Sequence, residues 1–190
     1  MNNKSEFLNC EICGVNKWSR IYKGSIRDGA YGGLLHNAYI MECGNCGVQR
    51  LREKDCIPSS YYESGDYRKK LKQSLSSEKA LIEQDNVQKF MIQSIGGNEK
   101  IRGKFVADVG CGVGSLLDAV SKLSEKIIGV EPCEPFINSL EKRGYEIFSS
   151  INGASSKYKG EIDLVLCSQV IEHVDDPKIF LEEIFEMLKK

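Results

Sequence analysis

From residue 105 onward, short apolar runs alternate with apolar residues at helical spacing. Residues 105–109, 126–130, 145–148 and 162–167 are runs without polar alternation, the pattern of strands buried on both faces. Between them, Leu116, Leu117, Val120 and Leu123 mark the buried face of one helix, and 136–143 reads as a second, closed by Gly144 at its C′ position. A last helix opens at Asp175-Asp176-Pro177: Asp176 suits the N-cap, proline the first helical position, and Phe180, Leu181, Ile184, Phe185 and Leu188 follow at helical spacing. An earlier helix starts near Ser77, which can cap it with Glu78 in its first turn. Its stripe is Ala80, Val87, Phe90, Met91 and Ile95, and Gly96-Gly97 stop it. Strands separated by helices predict an α/β domain with a parallel sheet covered on both faces.

The first third of the chain is patterned differently. Trp18 to Tyr22 and Asn37 to Met41 are short stretches rich in aromatic and β-branched residues, suited to antiparallel strands, with a glycine-rich loop over 28–33 between them. Two copies of C-x-x-C-G frame these stretches: Cys10-Glu11-Ile12-Cys13-Gly14 and Cys43-Gly44-Asn45-Cys46-Gly47. Each can present two thiolates while its backbone N–H groups face the sulfurs, and the closing glycine suits a left-handed turn. Cys10, Cys13, Cys43 and Cys46 are thus the candidate ligands of one structural Zn²⁺, the alternative being two reduced cysteine pairs that lie close together. The 29 residues from Gly14 to Glu42 exceed the usual spacing, but a module of this size has a thin core and needs a staple. Four protein ligands leave no open position, so the metal holds structure and does no chemistry.

Composition narrows the partners. With 26 basic and 27 acidic residues among 190, the balance gives no electrostatic case for a nucleic acid or a membrane surface. The polar start lacks a signal-peptide core, and no apolar run approaches a membrane span, so a cytoplasmic location is expected. In that reducing compartment the eight cysteines read as metal ligands or buried thiols. Cys111, Cys133 and Cys167 look like small apolar fillers, and Cys56 a spare thiol. Residues 56–77 form a linker with Tyr61, Tyr62, Tyr67 and the basic cluster Arg68-Lys69-Lys70-Leu71-Lys72. The tyrosines either close over a ligand or anchor the linker, and the basic cluster either meets a substrate phosphate or is a solvated face.

The most specific stretch is Asp108-Val109-Gly110-Cys111-Gly112-Val113-Gly114-Ser115, a strand breaking into alternating glycines before a helix. Ser115 stands where a dinucleotide fingerprint would carry its third glycine, which argues against NAD. The pattern resembles the first motif of the class I S-adenosylmethionine (SAM) methyltransferases. Two companions extend the resemblance: Glu131, 21 positions beyond Gly110 at the end of the next strand, and the run from Ile162 through Cys167-Ser168-Gln169 to Glu172-His173-Val174. A carboxylate at 131 can take both hydroxyls of an adenosine ribose. The cysteine module ahead of this domain resembles the front end of bacterial zinc-ribbon methyltransferases acting on sugars or other small metabolites.

The resemblance implies a Rossmann-like class I methyltransferase sheet with a small N-terminal zinc-ribbon module, divided as 1–55 ribbon, 56–77 linker and 78–190 SAM-binding domain. It implies that Asp108 fixes the glycine loop or reaches the methionine amino group, and that Gly110, Gly112 and Gly114 let the backbone approach the methionine. It further implies that Glu131 holds the ribose, and that Ser168 and Gln169 line the methionine end. His173 is the catalytic candidate: either a base for a hydroxyl or carbon acid, or a side chain that fixes its loop. The family fold has seven strands and four are counted, so the chain reads as a truncated form of a longer enzyme, or as one whose fourth strand a partner copy covers. The expected function is methyl transfer from SAM to a small-molecule acceptor, a nucleotide-linked sugar or polysaccharide precursor. The alternatives are an RNA or protein acceptor gripped by the ribbon, and a zinc-stapled binding module without turnover.

Overall fold

The computed structural model describes residues 9–27, 33–52, 55–56, 81 and 87–190. Contacts divide the chain into two units, 1–58 with 176–178, and 59–175 with 179–190. The expected glycine loop at 28–32, the linker tyrosines, the basic cluster 68–72, and Ser77, Glu78 and Ala80 lie outside the described residues.

The first unit is a three-stranded antiparallel sheet of β1 (Trp18–Arg27), β2 (Leu34–Cys43) and β3 (Gln49–Leu51), in the order β1-β2-β3. β1 and β2 are ten residues each, longer than the aromatic stretches suggest. Their pairing is irregular between Arg20 and Tyr22, which face Met41 and Ile40, so that Ile21 is an inserted residue. Among the described residues, the buried apolar ones here are Cys10, Ala38, Met41 and Cys43. Half of this core is therefore cysteine.

The second unit carries α1 (Val87–Ser94), β4 (Phe105–Val109), α2 (Ser115–Ser121), β5 (Lys126–Val130), α3 (Glu134–Lys142), β6 (Glu146–Phe148), α4 (Ile151–Lys157), β7 (Leu164–Cys167) and α5 (Pro177–Met187). Its sheet is parallel, ordered β6-β5-β4-β7. The continuous apolar strands bury both faces, as expected. Phe105, Ala107 and Val109 pack with Ile151, Ala154, Phe180 and Met187 on one side, and Val106 and Leu166 with Ile92, Leu116 and Val120 on the other. Gly96 and Gly97, both at positive φ, end α1, with the Gly97 N–H donating to Ile92 O at 2.8 Å. Gly144, at φ 88°, follows α3.

Two expectations are corrected. Phe90 is 72% exposed, and Ile92 takes the buried position of α1 in its place. In α5 the buried pair is Phe180 and Met187, while Leu181 and Phe185 are 49% and 63% exposed, because only one edge of the wide apolar stripe meets the sheet. Between β6 and β7, where the sequence pattern assigned no element, the structure has the helix α4: Ser150 Oγ accepts a hydrogen bond from the Gly153 N–H at 3.2 Å, and Ile151 and Ala154 are buried. No helix among the described residues is long and apolar enough to cross a membrane.

Candidate functional site

In the parallel sheet the strand ends are aligned. Val109 pairs with both Val130 and Cys167, so Gly110, Glu131 and Ser168 are the first residues past three adjacent C-terminal ends. Chain order reverses between β4 and β7, and in open parallel sheets this reversal opens the crevice where ligands bind. The structure thus gathers the glycine loop, Glu131 and the Ser168-Gln169 turn at one edge of the sheet. Among the residues resemblance assigns to the cofactor, only Asp108 lies within a strand.

The loop from Gly110 to Gly114 runs through three left-handed glycines, at φ 74°, 57° and 83°. A Cβ at Gly110 would overlap Val170 and one at Gly114 would overlap Leu140, so these two glycines serve close packing as well as the turn. The Gly110 and Cys111 N–H groups donate to Val130 O at 2.8 and 3.1 Å, tying the loop to β5. From behind, Arg143 donates from Nη1 to Val113 O at 2.7 Å and pairs through Nη2 with Asp118 of α2, whose other oxygen accepts from the Tyr145 hydroxyl at 2.6 Å. Arg143 reads in the sequence only as a helix end. Its role as the strut of the loop depends on a fold-level approach that local pattern does not encode.

Glu131 is buried and accepts the Gly112 N–H at 2.8 Å on one oxygen and the Cys133 N–H at 2.9 Å on the other. Its carboxylate therefore holds the loop after β4 against the turn after β5, a structural task the sequence reading missed. Asp108 is 4% exposed, and burial first, then the neighbouring Glu131 charge, push its carboxyl up to about 7. Such a group is half protonated at neutral pH and gains most from a cationic or donor ligand.

Past β7, Gln169 adopts φ 55°, an uncommon conformation for a residue with a side chain, which turns the chain sharply beside the glycine loop. His173 ends a short 3₁₀ turn, Ile171–His173, with its N–H donating to Val170 O at 2.8 Å. Burial lowers its pKa, outweighing the opposing pull of Glu172, so the imidazole is neutral at pH 7. Cys111 and Cys133 are buried fillers as expected, whereas Cys167 is exposed at the strand end.

In the first unit, Cys10, Cys13, Cys43 and Cys46 bring all four Sγ atoms within 4.8 Å of one another, with Cys10–Cys46 and Cys13–Cys43 both at 3.6 Å. Sulfurs at the corners of a tetrahedral Zn–S₄ site stand about 3.8 Å apart, given Zn–S bonds of ~2.3 Å, so the donor set fits that ion. The two knuckles match bond for bond. Gly14 and Gly47, at φ 74° and 76°, donate to Cys10 O and Cys43 O, and the Cys10 and Cys43 N–H groups donate to Val15 O and Val48 O.

The parallel sheet covered on both faces, with these residues gathered at its switch point, is a Rossmann-like fold. A family model described as "Methyltransferase domain" matches residues 107–190. Among curated proteins, the chain is 35% identical over 92 residues to the ubiquinone biosynthesis O-methyltransferase of Aromatoleum aromaticum, covering 44% of this chain and 38% of that protein. It is 27% identical over 109 residues to the mitochondrial ubiquinone biosynthesis O-methyltransferase of Schizosaccharomyces pombe, covering 53% and 39%. The chain spans about two fifths of the length of these curated relatives. Of solved structures, the plantazolicin methyltransferase BpumL in complex with SAH superposes with a TM-score of 0.51 at 22% identity, covering 69% of this chain and 52% of that one. The magnesium protoporphyrin IX methyltransferase of Synechocystis PCC 6803 with bound SAH superposes at 0.50 and 15%, covering 68% and 66%. These likenesses show the fold.

Proposed function

We propose that the second unit binds SAM at the β4–β7 switch point and that the protein transfers the methyl group to a small-molecule acceptor, with a structural Zn²⁺ held by Cys10, Cys13, Cys43 and Cys46. The observation that carries this reading is the alignment of the left-handed glycine loop, Glu131 and the Ser168-Gln169 turn at one sheet edge, with the buried Asp108 behind them. Methyl transfer from a sulfonium is an in-line displacement, so the protein has mainly to hold donor and acceptor in line and exclude water. Asp108 is suited to the ammonium of the methionine moiety, the loop to its backbone approach, and the Glu131 carboxylate, at the end of β5, to the ribose hydroxyls. The named relatives are ubiquinone biosynthesis O-methyltransferases, which favours a hydroxyl acceptor; a nucleotide-linked sugar is one acceptor of that kind. Zn²⁺, when bound, supplies a cross-link between the two knuckles and no open coordination position.

The protonation of Asp108 gives the test. Without ligand the folded protein holds a proton there that the unfolded chain releases near pH 4, so its stability contribution is full below about pH 4 and falls, by at most about 4 kcal/mol, as pH rises to 7. Binding a ligand ammonium expels that proton. The affinity for S-adenosylhomocysteine should therefore rise with pH between 6 and about 8, and calorimetry in buffers of different ionisation enthalpy should register proton release. Asp108→Asn should bind at least about tenfold more weakly and without pH dependence. A pH-independent affinity in the unaltered protein would remove Asp108 from the site.

On this reading His173, neutral in the turn that follows β7, accepts the acceptor's proton. His173→Ala is expected to lower turnover by about 10²-fold or more while leaving the affinity for S-adenosylhomocysteine within about twofold. Full turnover in that variant would leave His173 a loop-fixing residue.

A further inference from the structure

The ribbon carries a concentration of positive charge that its zinc-staple role does not use. β1 has three cations, Arg20, Lys23 and Arg27, and no acidic residue. In a regular strand, residues 20 and 23 would point to opposite faces of the sheet. The irregularity at Ile21 changes this: Arg20 is paired with Met41 and Lys23 with Tyr39, two residues apart on one face of β2. Both side chains consequently converge on the Tyr39 ring, Arg20 Cζ at 5.0 Å and Lys23 Nζ at 5.7 Å from its centroid. A third cation, Arg52, lies against the same ring at 3.7 Å.

The three cations are not equivalent. Arg52 is buried and already neutralised: its Nε and Nη2 donate to the two carboxylate oxygens of Asp55 at 2.7 and 3.2 Å, and Nη2 also donates to Asn37 O at 3.0 Å. The Tyr39 N–H in turn donates to Asp55 Oδ2 at 3.4 Å, so the ring stands on a braced base. Arg20 and Lys23 are exposed, and among the described residues no carboxylate pairs with either. An exposed cation–π contact is of the same small order as the repulsion between two neighbouring like charges, so the ring alone does not account for collecting both cations on it. An anion between them does. A guanidinium fork, an ammonium and an aromatic face set side by side are the parts that recognise a phosphate and a flat group attached to it.

We infer that Arg20, Lys23 and Tyr39 form a binding site for a phosphate-bearing small molecule on the ribbon, the bulge at Ile21 being the device that assembles it. The inference stands on the ribbon alone and holds whether or not the second unit transfers a methyl group. Overall charge balance leaves no long-range field for a polyanion, which favours a small phosphate ester over a nucleic acid strand.

The test uses the full chain with its metal, titrated with pyrophosphate and with UDP and followed by amide chemical shifts. Both should bind, with shifts centred on Lys23 and Tyr39, and Arg20→Gln/Lys23→Gln should weaken both about tenfold or more. The charge-matched pair Arg102→Gln/Lys104→Gln, in the second unit, should leave them within about twofold. All four side chains are exposed, and metal content confirms that the ribbon stays folded. Equal weakening by the two pairs would mean diffuse charge and overturn the site. So would shifts that leave Tyr39 untouched, or a short single-stranded RNA binding far more tightly than UDP.

Discussion

Stripping the metal, or replacing Cys43 by serine, is expected to unfold the three-stranded ribbon while the parallel sheet stays folded. Among the described residues the ribbon's buried apolar ones are Cys10, Ala38, Met41 and Cys43, and two of these four belong to the proposed metal site. β1 exposes most of its length, so hydrophobic burial is too small to offset the conformational entropy of ordering the module. In such modules the metal-binding free energy, about 10 kcal/mol or more, is the folding free energy. Cys43 is 1% exposed, and its N–H and C=O both close the second knuckle, so the substitution removes a ligand and disturbs the turn that presents Cys46. The second unit has its own core on both faces of its sheet. Amide spectra should lose the dispersed signals of β1 and β2 and keep those of β4, β5 and β7. Metal analysis should fall from one ion per chain to none. A ribbon that keeps its dispersion without metal would show that the four thiols are merely neighbours.

Gly114→Ala is expected to cost about 3 kcal/mol of stability and to weaken cofactor binding about a hundredfold. Gly114 sits at φ 83°, where a side chain costs ~1–2 kcal/mol, and its Cβ would overlap the fully buried Leu140 and approach Arg143 Nη1 to 3.4 Å. Overpacking of this kind adds ~1–3 kcal/mol. Relief requires moving either Leu140 or the loop, and moving the loop breaks the 2.7 Å bond from Arg143 to Val113 O that sets its position. Gly144→Ala supplies the contrast within the same unit: the φ is similarly positive, at 88°, but nothing lies within 4 Å of the added carbon, so only the backbone strain of ~1–2 kcal/mol applies. Urea denaturation of both variants, with calorimetry of the first, measures the difference. A Gly114→Ala protein as stable as Gly144→Ala would mean that Leu140 gives way freely.

What the sequence made legible is what local physics dictates. Unbroken apolar runs marked the four parallel strands, since burial on both faces leaves no polar alternation. Alternating glycines marked the loop, and the repeated C-x-x-C-G marked the knuckles, because a left-handed turn and a thiolate pair are local requirements. The helix α4 was hidden by Gly153 and a serine-rich composition, although Ile151 and Ala154 at helical spacing after Ser150 carried its signal. Phe90 and Phe185 were assigned to buried faces by period alone, yet the period does not say how wide a stripe the sheet accepts. The bonds of Glu131 to Gly112 and Cys133, the strut Arg143, and the convergence of Arg20 and Lys23 on Tyr39 arise from pairings between elements. No window of sequence contains them.

The central claim is that the edge built from the glycine loop, Glu131 and the Ser168-Gln169 turn is a cofactor site. Isothermal titration of the purified chain with S-adenosylhomocysteine tests it most directly. One site per chain is expected, with binding reduced at least about tenfold by Glu131→Gln, which keeps the side chain's size but replaces one acceptor oxygen by an amide NH2, so that one of the bonds from the Gly112 and Cys133 N–H groups is lost together with the carboxylate charge. Absence of binding by a chain whose parallel sheet is folded, or binding that Glu131→Gln leaves unchanged, would contradict it.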